Sequence, residues 1–228
     1  MNSPPPPEEF QDAVRRSRWG EGYRIERRIA SGELAQEPYR GGFYGFQHVE
    51  LVTRHADFTD GHHLAWAKRQ RPDFESLVGA ENALPDQRYR GPQSWRTAVP
   101  PELYSTQFIA ERSKAYIAEA TAGEQPFFLQ VSFTDPHHPF TPPGKYWDMY
   151  EPNNIPLPSS FGQVTTPRLQ QIHNLHAEGK HKRKGGFAMP VDEEEARALL
   201  ALTYGMISFI DDAIGEILAQ LETQGLLE

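Results

Sequence analysis

The chain has 228 residues, a formal net charge of −8 from 31 acidic and 23 basic side chains, and no cysteine. That length suits one α/β domain or a large piece of one, and the acidic balance argues against a general binder of nucleic acid or membrane surfaces, which needs clustered positive charge. Without cysteine there is no disulfide, no zinc–thiolate site and no thiol nucleophile within the chain.

The opening MNSPPPPEEF has neither the basic region nor the apolar stretch of a secretory signal, and its consecutive prolines predict an extended lead-in. No run approaches the roughly 18 apolar residues of a membrane span, so no transmembrane segment is expected and localisation stays open. Residues 8–30 alternate charges with few large apolar side chains and predict no more than a surface helix. Residues 1–35 are therefore set apart as a proline-rich, charged lead-in to residues 36–228.

GGFYGFQHVELV, residues 41–52, predicts a glycine-broken aromatic turn entering a short strand. DGHHLAWAKRQ, residues 60–70, predicts a helix capped by Asp60. A proline-punctuated loop follows over 72–101, and apolar residues at the helical period predict a helix over 102–122. FFLQVSF, residues 127–133, is too short for a good helix and rich in aromatic and branched residues, as in a buried strand of a parallel sheet. Helix then apolar strand is half of a βαβ pattern and predicts a layered α/β domain, whose ligand crevice lies beyond the carboxyl ends of its strands.

At that end stands TDPHHPF. Pro136 and Pro139 fix their own φ angles and push Asp135 and His138 away from helical conformations, so the turn is stiff. An imidazole at His137 can hydrogen-bond an anionic oxygen or donate toward a leaving group; the ordinary alternative is a structural loop histidine. His138 packs or lines a substrate rim. Asp135 either orients an imidazole or is a turn residue before proline. Lys145 either meets an anionic substrate or is solvated.

Residues 141–190 read as a long loop broken by prolines and glycines. Within it His173, His176 and His181 fit no strong zinc spacing. His48, His55, His62 and His63 also lack ligand spacing, and some of them are candidates to line a substrate pocket. Asp192 and Glu195 have capping-box spacing, and Leu199, Leu200, Thr203, Ile207, Ile210, Ile214, Ile217, Leu218 and Leu221 form one stripe. They predict a long core-facing helix ended at Gly225, with Tyr204 packed in the core and Asp211 and Asp212 as ordinary helix positions. Gly205 and Gly215 inside it each cost about 1 kcal/mol relative to alanine, which predicts close backbone approach at both.

PFFLQVSFTDPHHPFTPPGKYWDMYEP together with LTYGMISFIDDAIGEILAQLETQGLLE resembles the central part of the sulfatase family, and YRGGFYGFQHVELVTRHADFTDGHHLAW is similar to a segment of bacterial members. The resemblance covers residues 36–228. It implies an α/β fold of the alkaline-phosphatase type, a layered sheet with flanking helices, here incomplete at both ends. It implies a sulfuric ester hydrolase in which a formylglycine, made from the Cys of a Cys-x-Pro-x-Arg motif, is the nucleophile and calcium or magnesium is the metal. His137 matches the family's sulfate-contacting histidine and is the catalytic candidate. His138 and Lys145 are substrate-binding candidates and Asp135 an orienting one.

No metal ligand is assigned in this chain, no ion is expected to bind it tightly, and the chain alone is predicted inactive, as an internal fragment of its parent. The expected ligand is a sulfated small molecule or sugar, with no nucleic acid or membrane partner. The basic run GKHKRKGG, residues 179–186, reads first as a solvated face and second as an attractor of a sulfated sugar. Exposed apolar surface is expected to favour association. Two alternatives remain open: a phosphodiesterase or phosphonate hydrolase of the same superfamily, and a non-catalytic remnant that binds an anion or a partner.

Overall fold

The computed structural model describes residues 24–86, 88–89, 91–123, 125–180 and 190–227. The proline-rich start and residues 181–186 of the basic run, with His181, lie outside the described residues. The chain forms two compact units, residues 1–53 with 60–66 and residues 54–59 with 67–228.

In the first unit, helix α1 (Ile25–Ala30) buries Ile25 and Ile29, which are four residues apart and so share one face. Together with Ala35 they form a small core flanked by Leu34, Tyr39, Phe43, Leu51 and Ala65. The segment expected to be at most a surface helix thus has an apolar anchor. His62 is a core histidine: its Nδ1 accepts the Leu51 N–H at 2.9 Å and its Nε2 donates to the Glu37 carbonyl at 3.0 Å. Both ring nitrogens are used, so His62 is not a pocket-lining residue.

Strands β1 (Val52–His55) and β2 (Phe58–Gly61) pair as a two-stranded sheet, and α2 (His62–Gln70) follows without a loop. Asp60, expected to cap that helix, lies inside β2 instead. Thr59 and Gly61 alternate inward there, and the period-two burial of a paired strand prevails over the local capping preference.

The second unit is built on α3 (Ser105–Thr121) and α5 (Glu193–Thr223). The capping box that opens α5 is complete: Asp192 Oδ1 accepts the Glu195 N–H at 2.8 Å, and the Glu195 carboxylate accepts the Asp192 N–H at 3.1 Å. Ala110 and Ile117 of α3 meet Ala213 and Ile217 of α5, and Glu216 accepts from both Gln107 and Lys114 across the pair.

The buried stripe of α5 coincides with the expected one at Ile217, with Leu221 packed beside it, and otherwise differs. It runs through Ala196, Ala201, Leu202, Gly205, Met206, Phe209, Ala213 and Ile217, while Ile207, Ile214 and Leu218 are 46, 40 and 47% exposed. The helix carries two apolar stripes, and the one rich in alanine and glycine faces the fold because small side chains let neighbours approach closely. Gly205 behaves as expected: a Cβ there would overlap the Tyr146 carbonyl oxygen. Gly215 does not, since a Cβ there would meet nothing within 4 Å. Tyr204, expected in the core, is 37% exposed and packs edge-on against Tyr150 at 5.6 Å. By length and composition α5 could also cross a membrane, contrary to the expectation that no stretch is long enough; its face against α3 is that of a core helix.

Residues 127–133 are not a ladder strand here. They run extended with Phe127, Leu129, Val131 and Phe133 packed against the α3–α5 cluster, while Phe128 is 76% exposed. The alternation is a strand's, yet among the described residues the only sheet is the β1–β2 pair, so the layered sheet is not visible in this chain. The region expected as loop over 141–190 contains a helix, α4 (Pro167–Ala177), capped by the Thr166 side chain, with Ile172 buried. Proline at its first position suits a helix start, so the proline read as a breaker is an initiator.

Candidate active site

The histidine turn stands between two buried anchors. Asp135 is 5% exposed at its start and Thr141 is fully buried at its end, where its hydroxyl pairs with the Tyr104 hydroxyl at 3.0 Å. Phe140 is held on another side: its N–H donates to the Gln93 carbonyl at 2.8 Å, and it bridges Ser94. The Asp135–Pro136 and His138–Pro139 peptide bonds are cis. Between the anchors His137 is exposed and His138 half-buried.

His137 lies between two other imidazoles. The His55 ring stacks on it with centroids 3.7 Å apart and planes 15° apart, and the His138 ring lies on it at 4.2 Å and 29°. The His137 Nδ1 pairs with the His138 carbonyl. A carbonyl only accepts, so Nδ1 carries the proton and Nε2 is the nitrogen left for a ligand. Partial burial and then the neighbouring His137 and His138 rings hold His55 below the usual imidazole range.

Two carboxylates, each two residues along the chain from a stacked histidine, are buried. Asp57, at the hairpin turn, receives three donors on one oxygen: the Thr97 hydroxyl at 2.8 Å, the Trp95 indole N–H at 2.9 Å and the Gly79 N–H at 3.2 Å. Burial still raises its pKa, partly offset by those donors. Asp135 lies beside the Tyr104 hydroxyl and the Ala56 amide, but neither of its oxygens makes a hydrogen bond of ordinary geometry among the described residues. Burial chiefly, with the nearby Asp57 charge, pushes its carboxyl up to about 7. The buried Tyr104 hydroxyl is raised well above its usual range, again by burial first and by Asp135 second.

Of the residues singled out from sequence, the structure brings His137, His138 and Asp135 together, and Lys145 elsewhere. The Lys145 Nζ pairs with the Asp212 carboxylate at 3.0 Å and lies 4.7 Å from the Tyr146 ring centre, so its charge is engaged on α5. Asp57 and Tyr104 escaped the sequence reading because a polar turn residue and a helix-flanking tyrosine have no periodic signal. The succession His55, Ala56, Asp57 at a tight turn was the available hint: Ala56 adopts φ 57°, a left-handed conformation that costs an L-residue roughly 1 kcal/mol. Among the described residues no three or more His, Cys, Asp or Glu side chains converge as a metal centre. These residues do not fit a calcium or magnesium site, which needs several convergent oxygens.

A family model described as Sulfatase matches residues 49–228, more than half of the chain. The chain belongs to the sulfatase family. Its members hydrolyse sulfate esters, are generally metal-dependent, and have the α/β fold of the alkaline-phosphatase superfamily. Similar proteins include the multifunctional alkaline phosphatase superfamily protein PehA of Trinickia caryophylli, 29% identical over 134 residues, or 56% of this chain and 26% of that protein. An arylsulfatase of Clostridium perfringens is 28% identical over 55% of this chain and 24% of its own length. An ulvan-active sulfatase of Formosa agariphila is 24% identical over 84% of this chain and 31% of its own. The chain thus spans about a quarter of the length of the first two relatives. The sulfatase match takes in the whole histidine stack, since His55, His137 and His138 all fall inside it.

Proposed function

We propose that this chain carries the anion-contacting histidine turn of a sulfatase-type hydrolase, with His137 as its catalytic residue. The observation that supports it is the exposed His137 ring, whose Nδ1 is bound to its own turn and whose Nε2 is left for a ligand. In sulfate-ester hydrolysis a nucleophile bonds to sulfur while the bond from sulfur to the ester oxygen breaks. A protonated Nε2 can donate its proton to that departing oxygen, or hold a sulfate oxygen as its charge grows. With no cysteine from which formylglycine could be made, the chain alone is expected to turn over no sulfate ester. His138 is proposed for the substrate rim and Asp135 as a support beneath the turn. Lys145 contributes to anion contact only after leaving Asp212. A sulfated sugar is the proposed ligand class, by analogy with the relative named for ulvan.

A second reading, a phosphodiester or phosphonate hydrolase, draws on the similarity to a multifunctional superfamily member. Titrating the chain with inorganic sulfate and with inorganic phosphate, followed by the ring signals of His137, tests both. Sulfate is expected to move those signals and to bind measurably by calorimetry, and His137→Ala to abolish the calorimetric binding. A response to phosphate alone favours the second reading. Equal binding by His137→Ala overturns the role of His137, and aryl sulfate turnover by the chain itself overturns the predicted inactivity.

A further inference from the structure

His137 is gripped on both faces. His138 is its chain neighbour, so that contact comes with the turn itself. His55 comes from the end of β1, far away in sequence, and gives the closer and more nearly parallel of the two contacts, 3.7 Å and 15° against 4.2 Å and 29°. A histidine ring turns about χ2 between two broad, roughly opposed orientations. Turning His137 over would exchange Nδ1 for a carbon and break its bond to the His138 carbonyl. A flat ring pressed against each face resists that rotation, because the ring must pass edge-on through the space its neighbours fill.

We propose that His55 is a positioning residue for His137, holding that imidazole by ring contact in the orientation and Nδ1–H tautomer that turn Nε2 outward, where on taking up a proton it donates to an anion. The assignment rests on His137 being the anion-contacting residue of the proposed function. Its support extends one layer further down. The hairpin turn that carries His55 is fixed through Asp57 to Gly79, Trp95 and Thr97, so the face offered to His137 sits on an anchored turn. Partial burial and its two ring neighbours hold His55 below the usual imidazole range, which lessens charge repulsion across this contact.

Long-range proton–nitrogen correlation spectra of the full chain at pH 7.5 test this on the wild type, His55→Ala and His55→Phe, each with and without inorganic sulfate. The His137 signals are identified as those lost in His137→Ala. The wild type is expected to show one Nδ1–H tautomer of His137. His55→Phe, which keeps a flat ring without nitrogen, retains it. His55→Ala mixes the two tautomers and weakens sulfate binding about 2- to 10-fold, the range of an aromatic contact. An unchanged His137 tautomer in His55→Ala overturns the proposal, and so does loss of the tautomer in His55→Phe with the fold intact by circular dichroism. Sulfate binding that survives His137→Ala removes the anion-contact reading, while the tautomer spectra still decide whether His55 positions the ring.

Discussion

Asp57 and Asp135 are both buried, yet one oxygen of the first gathers three donors and the second gathers none of ordinary geometry. Asp57 collects an amide, an indole and a hydroxyl on a single oxygen, drawn from residues 79, 95 and 97. Asp135 has only the Tyr104 hydroxyl and the Ala56 amide nearby, in poor geometry, and retains its proton up to about 7. Equal burial therefore gives unequal roles. Burial opposes the charge of both; the carboxylate that gathers donors offsets part of that and ties loops together, whereas the one left short of them has little to offset it.

The sharpest way to break this contrast is Asp57→Ala, which leaves three donors without their acceptor. It is expected to destabilise the chain by about 3–5 kcal/mol in urea unfolding, since each orphaned buried donor costs about 1–3 kcal/mol. A loss below about 1 kcal/mol, the size of one ordinary hydrogen bond, would mean that the donors find other partners and Asp57 is no anchor.

Asp135 gives the next effect, and it is seen in pH dependence. Its folded pKa is raised from 3.8 to about 7, so between those values the native state binds more protons than the unfolded one. Stability then falls as pH rises from about 4 to 7, by up to about 4 kcal/mol. Asp135→Asn should remove that slope and gain in stability at pH 8 relative to wild type. A slope that persists unchanged in the asparagine variant would assign it to another group.

Thr97→Val removes one donor of three and also the acceptor of the buried Val99 N–H, at 3.1 Å, and is expected to cost about 1–3 kcal/mol, below Asp57→Ala. A loss equal to that of Asp57→Ala would place the stabilisation on the threonine rather than on the carboxylate. The smallest effect is electrostatic: His137→Ala should raise the His55 pKa only part of the way to its ordinary value, because burial, the larger cause, remains. A full return, read from its ring proton shifts against pH, would make the neighbouring ring the dominant cause.

Local signals carried much of this architecture. The spacing of Asp192 and Glu195 announced the start of α5, and two prolines around adjacent histidines marked the turn. The buried side of α5 was illegible because the chain writes two apolar stripes on that helix, and only its neighbours decide between large and small residues. The alternation of residues 127–133 was present in the sequence, but a ladder needs a second strand, and none pairs with it among the described residues. The stack of His55 on His137 depends on a hairpin and a turn meeting in space, which no periodicity encodes. Asp57 is legible only through its partners, spread over two loops.

One hydrogen atom sets the position of the segment that follows the histidine turn. Where any other residue would project a methyl group, Gly205 gives the Tyr146 carbonyl room to lie against α5, and two turns further on Asp212 receives both the Tyr146 hydroxyl, at 2.6 Å, and the Lys145 ammonium. The helix thus works as a gauge: its bare notch fixes the depth of the segment and its carboxylate fixes the angle.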